Sequence, residues 1–188
     1  QQAQDEYIKA WCALKIMSKV YGFGDPDGFV FNMSVGYDLD GIKGRKVNTY
    51  INNMMDAGKT AQFKECKKVL TELFPEEKDF IASISPNVSR SVTLSTLHGC
   101  PPQEIERIAS YLLKEKHLHT FVKCNPTILG YKTARSILDS MGYDYIVFDE
   151  HHFNEDLQWE DAVPMFERLQ KLADKQDLEF GLKLFNTF

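Results

Sequence analysis

Four cysteines, Cys12, Cys66, Cys100 and Cys124, are scattered through 188 residues without a single CxxC pair. That spacing removes a zinc ribbon and an iron-sulfur ligand set from this chain. No apolar run approaches the roughly 20 residues of a membrane-spanning helix, so no membrane role is expected. Lysine and arginine nowhere gather into a stripe and the net charge is −5, which excludes a nucleic-acid partner and leaves residues 43–46 as a solvated basic loop. No signal peptide and no disulfide framework are visible, which together point to reduced thiols and the cytoplasm. No sequence repeat of fixed period and no low-complexity linker is present. The chain opens on Gln1 rather than Met, and residues 182–188 read as a strand running straight into its loop. It is therefore expected to be a single domain, 1–188, cut from a longer multidomain protein.

What is present is a chain 43% hydrophobic, enough for one substantial core. Its pattern alternates between two periods. Residues 91–95 form a short β-branched and apolar run, Pro101-Pro102 can open a helix, residues 103–116 have helical periodicity, and residues 120–124 form a second strand. Two strands joined by such a crossover run parallel. Upstream, helices are predicted over 5–21, 47–57, 61–74 and 79–84, with a strand over 29–33 and a loop over 36–46. Downstream, a helix over 131–141 precedes a strand over 145–148, and a helix over 159–173 precedes a last strand over 179–184. The total is about five parallel strands alternating with helices, which is α/β architecture.

An open doubly wound sheet and a (β/α)8 barrel both fit such a pattern. The GxGxxG fingerprint of the open sheet is missing after the first strand, and polar residues end every strand. A partial TIM (β/α)8 barrel is the expected fold, partial because a full barrel takes about 250 residues. Ligands of such sheets bind beyond the carboxyl ends of the strands. Those ends carry Asn32, then Ser95, Thr96, His98 and Cys100, then Lys123, Asn125 and Thr127, then Asp149, His151 and His152, and finally Lys183 and Asn186. Cys100, just ahead of a helix and near His98, is the candidate catalytic thiol, because a helix N-terminus and an imidazolium both favour thiolate. An inert helix-start thiol is its alternative. The DEHH run with His98 offers nitrogen and oxygen donors to a divalent metal, and hence a hydrolase or lyase reading. Strand alternation sends adjacent side chains to opposite faces, so no metal site is assigned there.

The stretches FNMSVGYDLDGIK, SVTLSTLHGCPPQEIERIASYL, TFVKCNPTILGY, MGYDYIVFDEHHFNEDLQ and FGLKLFNTF closely resemble the amino-terminal part of the selenate reductase subunit family. These are large iron-sulfur oxidoreductases related to dihydropyrimidine dehydrogenase and the glutamate synthase small subunit, and this region is similar to the flavin barrel of dihydroorotate dehydrogenases. The resemblance implies flavin-dependent electron transfer to or from a small-molecule substrate, with FMN at the barrel mouth. It also implies iron-sulfur clusters and FAD or NAD(P)H in other domains, and other domains and subunits of a larger redox complex as partners. Lys123 in TFVKCNP stands where related barrels have the flavin-contacting lysine of VKLTPN, and Lys183 in GLKLFN has the same strand-end form. STLHGCP resembles the NLSCPHG segment, with Ser95 or Thr96 in place of the flavin-contacting Asn. The cofactor set implied is Lys123, Asn125, Ser95, Thr96, Asn32, Lys183 and Asn186. The phosphate-binding loops after strands seven and eight are missing, so this chain alone is expected to bind flavin weakly or not at all. A cofactor-free docking scaffold is the alternative.

Overall fold

A computed structural model describes residues 2–95 and 99–184. In chain order the elements are α1 (Gln2–Tyr21), β1 (Asn32–Val35), α2 (Leu39–Lys43), α3 (Arg45–Met55), α4 (Ala61–Leu73), α5 (Lys78–Ser83), β2 (Ser91–Leu94), α6 (Pro102–Lys114), β3 (His119–Lys123), α7 (Tyr131–Ser140), α8 (Glu150–Glu155), α9 (Trp159–Gln176) and β4 (Phe180–Lys183). They divide into two compact units, Gln1–Met33 with Lys43–Arg90, and Ser34–Ile42 with Ser91–Phe188.

The first unit is helical. α1 buries Ile8, Trp11, Cys12 and Ile16 on one side, the i, i+3, i+4, i+8 spacing of a helix face. Trp11 meets the rings of Phe29 and Phe31 edge-on at 5.4 and 5.6 Å, and its indole N–H donates to the Ser85 carbonyl at 2.9 Å. The Lys15 ammonium reaches Asp27 Oδ1 at 2.8 Å and lies 4.3 Å from the Trp11 ring centroid, so the buried stem and its charge are both accounted for. Thr60 caps α4, its Oγ1 accepting from the Phe63 N–H at 3.2 Å, a contact of about 1 kcal/mol.

The second unit carries the sheet, of strand order β1-β2-β3-β4. β2 pairs parallel with β3, Ser91 opposite His119 through Leu94 opposite Val122, and β3 pairs parallel with β4, Thr120 opposite Phe180 through Lys123 opposite Lys183. Val92, Leu94, Thr120 and Val122 are buried, and α6 packs on β3 with Ile105, Ile108, Leu112 and Leu113 buried. Each such side chain contributes about 1.5–3 kcal/mol. α9 packs on α6 and β4, and Arg168 forks onto both Glu106 oxygens at 2.7 Å. That guanidinium bond outweighs partial burial and holds the Glu106 carboxyl below its ordinary range.

The partial (β/α) architecture is as expected, with three revisions. The strand expected over 29–33 forms instead at Asn32–Val35, because Phe29 and Phe31 are committed to Trp11. The expected loop over 36–46 contains α2, whose Leu39 and Ile42 are buried at i, i+3 spacing. The expected strand over 145–148 is absent, and β3 bonds directly to β4, with the Thr120 and Cys124 N–H groups donating to the Glu179 and Lys183 carbonyls at 3.0 Å. Arg135 on α7 takes the carbonyls of Tyr143 and Ile146 into its guanidinium, so those acceptors face a side chain rather than a ladder.

Candidate functional site

The carboxyl end of β3 delivers Lys123, Cys124 and Asn125, and the 3-10 turn Pro126–Leu129 follows at once with Thr127 and Ile128. Pro126 stops the strand because it has no N–H for the ladder. Cys100 and Ile105, at the start of α6, and Asp156 and Leu157, just after α8, complete the lining of a cavity of about 20 Å³. That space admits one water-sized molecule.

Asp156 is the anchor of this cavity. Only 8% exposed, its carboxylate accepts from the Gly99 N–H at 3.2 Å, from Asn125 Nδ2 at 3.2 Å and from Thr127 Oγ1 at 2.7 Å. Gln158 Nε2 donates to the Phe153 and Asp156 carbonyls at 2.7 and 2.6 Å, fixing the turn that presents it. A buried carboxylate met by several donors is held in place and orients the groups that donate to it. Sequence reasoning missed Asp156. Its signal lay in the same DEHHFNEDLQ stretch, past the histidines that drew attention.

Lys123 is half-buried at the cavity wall. Among the described residues its ammonium makes no ion pair or hydrogen bond, and neither does that of its lateral neighbour across the ladder, the exposed Lys183. Laterally paired residues of parallel strands share a face, so two positive charges stand side by side at the strand ends.

The remaining sequence candidates fall in different places. Thr96, His98 and Asn186 lie outside the described residues. Ser95 is half-buried, its N–H donating to the Val35 carbonyl at 2.7 Å. A Cβ at Gly36 would stand 2.6 Å from the Ser95 carbonyl oxygen, so only glycine lets the chain pass there. Asn32 opens β1 instead of closing it and is exposed, a consequence of the shifted strand. Cys100 lines the cavity, but burial, then the Glu104 carboxylate, pushes its thiol up. The expected downward shift at a helix start is outweighed. Burial likewise pushes Cys124 up to about 11. Asp149 is the N-cap of α8, its Oδ1 accepting from the His151 N–H at 2.9 Å, and His151 Nε2 lies 3.1 Å from Glu155 Oε1. The DEHH residues thus build a short helix, and among the described residues no three His, Cys, Asp or Glu side chains gather as a metal site.

With the site at the carboxyl end of a parallel sheet, the family is decided by a match of residues 1–188 to the family described as "Oxidoreductase YgfK, N-terminal TIM-barrel domain". The chain belongs to this family. It is 43% identical over 202 residues to proteins of Escherichia coli strain K12 and of Escherichia coli O157:H7, each named "Putative oxidoreductase YgfK". These alignments take in 99% of the chain and 20% of each relative's length. No solved structure matches the chain. As a TIM-barrel domain of the YgfK family it carries its candidate site at the face where such barrels place theirs. Among the described residues no helix is long and apolar enough to cross a membrane.

Proposed function

We propose that the chain is the barrel portion of a multidomain, selenate-reductase-like oxidoreductase subunit, and that its strand ends form one wall of a flavin site for electron transfer with a small-molecule substrate. The observation that carries this reading is the Lys123 ammonium, half-buried beside the cavity and without a partner among the described residues. A half-buried ammonium at a barrel mouth favours the approach of an anion or an electron-rich group. The described residues fit one edge of a flavin and not the whole group, because the cavity of about 20 Å³ admits a water and no ring. Flavin, FMN by the sequence resemblance, supplies the electron acceptor when bound. Lys123 would stabilise negative charge on the reduced ring, and Asn125, held by Asp156 at 3.2 Å, would present a fixed amide beside it. The chain spans only 20% of the relatives' length, which leaves room for iron-sulfur and FAD or NAD(P)H domains elsewhere in the complete protein.

The test is the visible absorbance spectrum of the full-length protein beside the 188-residue chain, followed by FMN titration and Lys123→Ala. A flavin band in the full-length protein that falls on Lys123→Ala, with FMN binding weaker by about tenfold or more, supports the reading. Flavin content untouched by that change would leave this barrel as a scaffold, with redox chemistry in other domains.

A further inference from the structure

Helix α1, in the helical unit, is apolar on two sides. One side buries Ile8, Trp11, Cys12 and Ile16, with α1 packed against α3 and α4. The other carries Ala3, Tyr7, Ala10, Leu14, Met17 and Tyr21, spaced alternately by four and three residues. Apolar residues at that spacing form the seam along which two helices pack. Here most of the seam faces solvent. Leu14 is 41%, Met17 40% and Tyr21 59% exposed, and Ala3 and Ala10 are exposed as well. The chain turns at Gly22, whose φ is +68°, and sets the exposed Phe23 ring 5.8 Å from that of Tyr21, lengthening the stripe. The flanking Glu6 carboxylate is met by Lys9 at 2.9 Å. A helix apolar on both sides is normally buried on both. We propose that this outer face of α1 is a docking seam for an apolar helix from another domain of the same polypeptide.

The area decides between a tethered helix and a second copy of the chain. From Ala3 to Tyr21 the seam is about 27 Å long and about 10 Å wide. That is roughly 270 Å² per partner, or about 600 Å² in all once the Phe23 ring is added. Interfaces between domains of one chain begin at about 600 Å², whereas separate proteins need about 1,000 Å² or more. A tether makes up the difference, since it holds its partner at an effective concentration of about millimolar. The alignments with the YgfK relatives take in only 20% of each polypeptide, so most of such a polypeptide is at hand to supply the helix. Shape narrows the partner further. Ala3 and Ala10 leave room for bulky side chains at one end, and Tyr21 with Phe23 calls for small ones at the other. The seam lies on residues that the flavin reading does not use, so the two stand or fall separately.

The test is oxidation of Met17 in the full-length protein by hydrogen peroxide, which converts an accessible thioether to sulfoxide. Tryptic cleavage after Lys15, Lys19 and Lys43 puts Met17 in IMSK, 16–19, and the fully buried Met33 in the peptide 20–43. Met17 is expected to oxidise slower in the native protein than in urea by about tenfold or more. Leu14→Glu should restore most of that rate while Met33 stays protected, because Leu14 already faces solvent within the helical unit. A native Met17 that oxidises as fast as in urea, or one still protected in Leu14→Glu, would overturn the proposal, as would loss of Met33 protection in that variant. Cross-linking reads the occupant without any substitution. An amine-reactive cross-linker on mixed nitrogen-15-labelled and unlabelled full-length protein should join Lys9, beside the seam, to lysines beyond residue 188, with a single isotope in each pair. Pairs of mixed isotope would assign the face to a second copy, and links confined to residues 1–188 would leave it without the docked helix; either result overturns the inference.

Discussion

Asp156 holds the cavity together through three donors from two parts of the chain, Gly99 on one side and Asn125 and Thr127 on the other. Replacing it by Asn keeps the shape but puts amide hydrogens where a donor now meets an acceptor. The expected cost of Asp156→Asn is about 2–3 kcal/mol, read from urea unfolding midpoints, and Thr127→Val should cost about 1 kcal/mol. An Asp156→Asn midpoint equal to wild type would show that water satisfies the donors equally well. The strand-end place of Lys123 was legible in the sequence, because the short apolar run over 120–124 marks a strand there, whereas its role rests on the family resemblance. Asp156 was not legible, because it follows the six-residue α8, too short to show a period. The upward push on the Cys100 thiol was not legible, because a helix start is visible in sequence whereas burial beside Glu104 is a property of packing.

At the scale of elements, β3 and β4 meet through a missing side chain. A Cβ added at Gly181 would lie 2.6 Å from both Cδ1 and Cε1 of Phe121, the residue paired with it across the ladder. The Phe121 ring therefore occupies the place of a side chain on β4. Gly181→Ala should destabilise by about 1–3 kcal/mol through overpacking, and the same substitution in a Phe121→Ala background should cost much less, because the ring is gone. Equal costs in the two backgrounds, measured by a double-mutant cycle, would mean that the glycine is needed for its backbone alone. The helices were legible from their 3.6-residue period. The apolar run at 145–148 has the composition of a strand, yet composition cannot say whether a ladder is open to it. Arg135 binds the Ile146 carbonyl of this run and the Tyr143 carbonyl just before it, while β4 already fills the edge of β3.

At the scale of the molecule, the consequence is apolar surface exposed among the described residues. Val147 is 95% exposed and Tyr145 73%, and on the outermost strand β4 Leu182 is exposed along with the neighbouring Leu184. Closing a (β/α)8 barrel takes eight strands, whereas the described residues supply four, so β4 ends the sheet as an open edge. Open edges and exposed β-branched runs recruit other chains. The modest net charge of −5 opposes this only weakly at physiological salt, where charges screen over about 8 Å. The isolated 188-residue chain should therefore associate as its concentration rises, and its amides at 145–147 should exchange rapidly with deuterium. In the full-length protein, where the rest of the barrel is expected, both effects should diminish. Sedimentation velocity across a concentration series, paired with hydrogen exchange of the two proteins, reads this directly. A chain that stays monomeric, with slow exchange at 145–147, would show that these residues find a ladder within the chain itself.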